Sequence, residues 1–174
     1  FNANQTDLEQ AKILLNDGKL SQAIYDRLKL DSNKLRSMIQ GIVDIYELDD
    51  PIGKILLQRE LDEGLILTKK SCPIGVLGVI FEARPDVITQ ISALAIKSSN
   101  VVILKGGKEA QNTNMTIMQV INNAIATVKE FPANVINQVF SREEIKELLS
   151  LDKYIDLIIP RGSNKLVQYI KSNT

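Results

Sequence analysis

Apolar residues recur along this chain with two different spacings, and the change from one to the other divides it. Over the first third the spacing is helical. Thr6 and Glu9 have capping-box spacing, and Leu8, Ala11 and Leu15 then fall on one face, which predicts a helix opening at Thr6. A short second helix is expected from about Lys19 to Leu28, with Ile24 and Leu28 inward. The clearest stripe comes next, where Leu35, Met38, Ile39, Ile42, Val43 and Tyr46 recur at three- and four-residue steps. Asp49-Asp50-Pro51 ends it, because proline lacks an amide donor and disfavours helix in the residue before it.

From about Leu65 the period shortens. LILTKK and GVLGVIFE read as strands, the second so continuously apolar that it suits a sheet covered on both faces. Helical spacing returns from Asp86 to Ser98, with Val87, Ile91, Leu94 and Ala95 inward. VVILK is a buried strand ending at a glycine pair, and Ala110 to Val128 is a long helix with Met118, Ile121, Ile125 and Val128 on one side. VINQVF is a strand; Ser141 and Glu144 then open a capped helix through Leu149, with Arg142, Glu143 and Glu144 solvated at its start. IDLII is the last strand, and Leu166, Val167 and Ile170 begin the last helix. Strands alternating with helices predict an α/β fold in which a helical N-terminal segment, residues 1–62, precedes a Rossmann-like parallel sheet, residues 63–174.

Composition narrows the function classes. The 174 residues are 44% hydrophobic and 24% charged, which is a globular composition. Lysine and arginine number 21 and so do aspartate and glutamate, so no net positive charge favours nucleic acid or an anionic membrane. No apolar run approaches the roughly 20 residues that span a bilayer. Without histidine there is no Ser-His-Asp or Cys-His pair and no imidazole metal site. Cys72 stands alone, which fits a reducing compartment such as the cytoplasm. The opening FNANQTDLEQAK has no signal-peptide pattern and no initiator methionine, and the chain reads as a piece of a longer protein.

In an open parallel sheet, ligands bind where the strands end. Three strand ends here carry chemistry: Phe81-Glu82-Ala83-Arg84-Pro85, Lys105-Gly106-Gly107-Lys108-Glu109 and Pro160-Arg161-Gly162-Ser163. Each precedes a helix, whose unpaired amides and positive dipole end suit a phosphorylated ligand; glycines after strands also occur for geometric reasons alone. Two familiar nucleotide motifs fail. Gly107-Lys108 lacks the upstream glycine of a P-loop, since position 102 is valine, and Glu109 stands where that loop needs Ser or Thr. Gly75-Val76-Leu77-Gly78 has neither the spacing nor the strand-before-helix context of the dinucleotide fingerprint.

The run CPIGVLGVIFEARPDVITQISALAIKSSNVVILKGGKEAQNTN resembles the γ-glutamyl phosphate reductase family of the aldehyde dehydrogenase superfamily. YDRLKL and DDPIGKIL upstream, and LDKYIDLIIPRGSNKLV downstream, match the same family in the same order, so the resemblance covers essentially the whole chain. It implies the cofactor domain of an enzyme that reduces L-glutamyl 5-phosphate to glutamate 5-semialdehyde with NADPH in proline biosynthesis. It also implies a catalytic domain and a small oligomerisation element. A family member can be fused to a glutamate kinase, and is then mitochondrial in some eukaryotes. By the resemblance, Lys105 sits at the adenosine ribose, and Gly106 and Gly107 let the backbone approach it. Gly162 and Ser163 lie at the pyrophosphate, while Ile80 and Phe81 line the cofactor path. Glu109 suits ribose hydroxyls but repels a 2′-phosphate unless Lys105 or Lys108 offsets it.

Glu82 and Arg84 are the candidate substrate residues. Arg84 stands where many aldehyde dehydrogenases have an oxyanion-stabilising asparagine, and an arginine there can pair bidentately with the phosphate of an acyl phosphate; pairing with Glu82 or a backbone carbonyl is the structural alternative. The family's nucleophilic cysteine is expected beyond residue 174, which leaves no catalytic residue in this stretch. Cys72, before Pro73 and without a pKa-lowering neighbour, reads as a small packed residue. A non-catalytic nucleotide-binding or regulatory module is the competing expectation.

Overall fold

The computed structural model describes residues 1–173, the side chain of Arg142 excepted. Three helices come first: α1 (Asn2–Asn16), α2 (Gln22–Leu28) and α3 (Ser32–Glu47). Strands β1 (Ile55–Asp62) and β2 (Leu65–Lys70) form an antiparallel hairpin. Then follow β3 (Val76–Phe81), α4 (Val87–Lys97), β4 (Val101–Lys105) and a 3-10 turn (Lys108–Ala110) leading into α5 (Gln111–Ala126). The remainder is β5 (Ile136–Gln138), α6 (Arg142–Leu149), β6 (Leu157–Arg161) and α7 (Asn164–Lys171).

The four later strands form one parallel sheet in the order β5-β4-β3-β6. The chain steps outward from β3 to β4 to β5, and α6 then returns it so that β6 pairs with the other edge of β3. That reversal is a topological switch point. Both faces of β3 are covered, as its apolar run requires. Alternation sends Leu77, Val79 and Phe81 into one cluster with Ile88, Ala95 and Met118, while Ile80 joins Ile145, Leu149 and Ile170 on the other face. Gly78 belongs to this second face. A Cβ there would stand 3.1 Å from Leu148 Cδ2, so its absence lets α6 close on the sheet.

A third cluster, Ala11, Leu28, Ala83 and Ala110, packs the first two helices over the ends of β3 and β4. A polar clasp fixes it. The buried Asp7 carboxylate accepts hydrogen bonds from the Thr113 hydroxyl (2.6 Å) and amide (2.8 Å), and from the Asn112 side chain (2.8 Å) and amide (3.2 Å). These amides open α5, so a residue of α1 caps a helix more than a hundred positions away. Asn4 Nδ2 donates to the Leu28 carbonyl at 2.8 Å, and Asn4 Oδ1 accepts the Leu30 amide at 3.0 Å.

Several sequence expectations need correction. The first helix begins at Asn2, not Thr6; the Thr6 hydroxyl instead donates to the Asn2 carbonyl within the helix. The second starts after Ser21, whose Oγ accepts the Ile24 amide, because a turn with Gly18 at φ +69° takes up the residues before it. β1 was not expected within the helical segment, and LILTKK pairs with it rather than joining the parallel sheet. Leu94 is 48% exposed and Ser92 takes the inward place, because α4 is contacted on a narrower face than its sequence is apolar. Val128 lies exposed beyond α5. On α3 only Met38 is buried; Ile39 and Ile42 line an open apolar cavity against α1, α4 and α5, and Val43 and Tyr46 are exposed. Cys72 is exposed rather than packed, because it follows the end of a hairpin that is exposed along both strands. No helix is long and apolar enough to cross a membrane, among the described residues.

The Ser141–Glu144 capping box forms as expected, with the Glu144 carboxylate accepting the Ser141 amide at 2.6 Å and the Phe140 amide at 2.8 Å. Those two backbone donors, with help from the Ser141 hydroxyl, hold the Glu144 carboxyl below its ordinary value of 4.5. Its contribution to α6 is therefore complete above that ordinary value and is lost as pH falls through the lowered one. An NMR titration of the Glu144 carboxyl carbon should give a midpoint below those of the solvated glutamates; a midpoint at or above them would contradict the capping role. For the clasp, Asp7→Ala should lower the unfolding free energy by about 3 kcal/mol, because it strands buried donors. Urea unfolding measures this, and a loss under about 1 kcal/mol would mean that the clasp does not hold the helices.

Candidate functional site

The switch point opens into a cleft of about 970 Å³. Phe81, Glu82, Ala83 and Arg84 enter it from the end of β3, and Pro160, Arg161, Gly162 and Ser163 from the end of β6. Glu109 reaches it from the 3-10 turn, Ile24 and Arg27 from α2, Lys34 from α3, and Val87 and Val167 from α4 and α7. A groove of similar size, about 930 Å³, runs along α5 and β5, but its lining is amide, hydroxyl and apolar, with no charged side chain. Of these two cavities, charged side chains converge only in the one at the switch point.

The two carboxylates in the cleft are both turned onto backbone. Glu109 Oε1 accepts the Ala83 amide at 2.7 Å. Ala83 is in the left-handed region, at φ +44°, a conformation costly for a residue with a side chain. The carboxylate of Glu109 thus helps hold the bend that turns Arg84 into the cleft. Glu82 Oε2 accepts the Ser163 amide at 2.9 Å, and Ser163 Oγ caps α7 by accepting the Leu166 amide. Glu82 therefore lies against the amide end of α7, where an anion is favoured by both the unpaired donor and the helix dipole. Gly162 makes this approach possible. A Cβ on it would meet Glu82 Oε2 and stand 2.8 Å from Leu166 Cδ2.

Arg84 pairs with neither Glu82 nor a carbonyl. Its guanidinium stands 3.7 Å from Asp86, which also faces Lys34 Nζ at 3.7 Å. Of the residues singled out in the sequence, Phe81, Glu82, Arg84, Glu109, Gly162 and Ser163 meet in the cleft. Ile80 does not; its side chain packs with Ile145, Leu149 and Ile170 on the other face of β3. Lys105, Gly106 and Gly107 end β4 beside the cleft and are not part of its lining; Gly106 is buried against Asn114 and Phe81, and Gly107 lies under the Glu109 carboxylate. Arg27 and Lys34 were missed. The only sequence signal for Arg27 was its place in YDRLKL, a segment that matched a family without suggesting a role.

With this geometry in place, comparison with known proteins is decisive for the family. The model of the aldehyde dehydrogenase family matches residues 33–174. The chain belongs to the aldehyde dehydrogenase family. The family match begins within α3, so α1 and α2 lie outside it although α2 supplies part of the cleft. Across the whole chain, 62% of residues are identical to a γ-glutamyl phosphate reductase of Brachyspira hyodysenteriae, of which the chain spans 40%. The fold is similar to the crystal structures of γ-glutamyl phosphate reductases from Saccharomyces cerevisiae (44% identity, TM-score 0.90) and Thermotoga maritima (30% identity, TM-score 0.90). Each alignment covers 99% of this chain, and 43% and 41% of those chains respectively.

In this aldehyde dehydrogenase chain, Gly162→Ala tests the approach of Glu82 to α7. Both atoms that the new methyl would meet are ends of flexible side chains, so the fold should survive with a loss of about 1 kcal/mol. The Glu82–Ser163 bond should not. Faster hydrogen exchange at the Ser163 amide would show its loss, and an unchanged rate would mean that the carboxylate is not held there.

Proposed function

We propose that this chain is the cofactor-binding portion of a γ-glutamyl phosphate reductase, which reduces L-glutamyl 5-phosphate to glutamate 5-semialdehyde with NADPH. The observation that carries the reading is the 62% identity, over every residue of the chain, to a reductase of that name. The switch-point cleft supports it chemically. The amide end of α7, Ser163 and the bare backbone at Gly162 fit the diphosphate of a dinucleotide, and Arg84 presents a guanidinium for a phosphate.

A bound nicotinamide cofactor would supply the hydride. The residues of this chain bind and orient. Glu82 gives up the Ser163 amide when a diphosphate takes its place, Phe81 forms an apolar wall, and Arg84 holds the phosphate that leaves the acyl group. NADPH is favoured over NADH by the position of Glu109. Its Oε1 is engaged by the Ala83 amide, and Lys105 and Lys108 flank the same loop, where their charge would offset the carboxylate toward a 2′-phosphate. The nucleophilic cysteine is assigned to a part of the reductase outside this chain.

The hairpin supports an oligomeric enzyme. Ile55, Leu56, Leu57, Leu61, Leu65, Ile66 and Leu67 are all exposed on it, more apolar surface than two strands in water would retain without a partner. We assign it to the oligomerisation element, and place the enzyme in the cytoplasm.

Calorimetric titration with NADPH tests the cofactor reading. The chain should bind NADPH at micromolar concentration and NADH about tenfold or more weakly, from loss of charged contacts to the 2′-phosphate. Absence of heat with either dinucleotide would overturn the assignment; equal affinity would overturn the coenzyme preference.

A further inference from the structure

Four cationic side chains line the cleft: Arg27, Lys34, Arg84 and Arg161. They are not equivalent. Lys34 and Arg84 share Asp86, and Lys34 also donates to the carbonyls of Arg27 (2.8 Å) and Lys29 (3.1 Å). Lys34 is therefore committed to joining the end of α2 to the start of α3. Arg161 directly precedes Gly162 and Ser163, at the amide end of α7. Arg27 enters from α2, and among the described residues neither its guanidinium nor that of Arg161 takes part in an ion pair; Arg27 is the one set on the helical side of the cleft, away from the amide end of α7.

The backbone around Arg27 is nonetheless held on both sides. Its carbonyl accepts Lys34 Nζ, the next residue, Leu28, is fully buried, and the Leu28 carbonyl accepts Asn4 Nδ2. Arg27 thus reaches a charged cleft from a fixed stretch of backbone, with an exposed guanidinium that has no carboxylate partner among the described residues and is open to an anion. The reacting end of an acyl phosphate belongs at the strand ends beside Arg84. Arg27, entering the same cleft from α2, presents a planar fork suited to a carboxylate at the other end of such a substrate.

We propose that Arg27 is the specificity residue that binds the carboxylate of an amino-acid acyl phosphate. This rests on the reading of the chain as part of a γ-glutamyl phosphate reductase. The test uses the full-length reductase carrying these residues, run from glutamate 5-semialdehyde, inorganic phosphate and NADP⁺ toward acyl phosphate and NADPH, with butanal as an aldehyde lacking the carboxylate. Arg27→Ala should raise KM for glutamate 5-semialdehyde about 10- to 100-fold, with KM for phosphate and turnover of butanal changed by less than about twofold. Arg27→Lys should recover part of the loss, and serves in place of the alanine variant if that one fails to unfold cooperatively. An unchanged KM for the semialdehyde, a rise in KM for phosphate instead, or equal losses on both aldehydes would overturn the role of Arg27. Wild-type enzyme that turns over neither aldehyde would overturn the functional reading, and the role of Arg27 with it.

Discussion

The Asp7 carboxylate is the joint on which the cleft depends. It is buried, it receives four donors from Asn112 and Thr113, and it thereby caps α5 from a helix at the other end of the sequence. Burying a carboxylate is costly unless its lone pairs are satisfied, and four hydrogen bonds meet that requirement. Because the donors are the first turn of α5, the position of α1 is tied to the end of β4. Asn4 extends the tie to α2 through Leu28 and Leu30. The wall of the cleft formed by Ile24 and Arg27 thus inherits its position from a capping interaction made elsewhere.

The same device recurs at smaller scale around the cleft. Glu109 secures the left-handed Ala83, and Glu82 satisfies the first amide of the α7 cap. In each case a carboxylate does what a bound anion does at a helix end or a sharp bend. The two loops are therefore shaped by the chain's own acids. This has an electrostatic consequence. With Glu82 and Glu109 turned onto backbone donors and Asp86 shared by two cations, the side chains left to face a ligand are arginines. A chain with as many acidic as basic residues can thus present a locally cationic site.

The sequence carried most of the α/β half plainly. The apolar runs of β3 and β4 and the stripes of α4 and α5 are set by burial, which leaves a direct trace in residue type, and the Ser141–Glu144 box is a local motif that forms locally. The helical third was harder. Thr6–Glu9 has the spacing of a cap, but Asp7 between them is the residue that caps, and it does so for a helix remote in sequence. No local pattern encodes that. β1 is hard to read because Leu56-Leu57 breaks strict alternation and the loop, Glu63-Gly64, lacks the Asn-Gly or Asp-Gly pair of a strong hairpin signal, although Gly64 does take the positive φ that the turn needs. Within the site, the strand ends were legible because topology alone puts them together. Arg27 and Lys34 were not, since their place in the cleft follows from how α2 and α3 dock, and docking depends on the clasp.

The exposed stripe on α3 follows from the same logic of partial coverage. Helical periodicity records which face of an element is apolar, not which neighbour covers it. On α3, Met38 is buried and Ile39 and Ile42 line an apolar cavity of about 490 Å³ with residues of α1, α4 and α5, while Val43 and Tyr46 stay exposed, and on the hairpin every residue of both strands is exposed. These surfaces adjoin in sequence, the hairpin following α3 after the Asp49-Asp50-Pro51 stop. The sheet, by contrast, is covered on both faces. α3 packs on α4 beside the covered sheet, and the hairpin presents the outward-facing apolar surface. The cleft at the sheet draws only Lys34 from that side, but through the Arg27 carbonyl and Asp86 this one residue ties the first turn of α3 to the cleft.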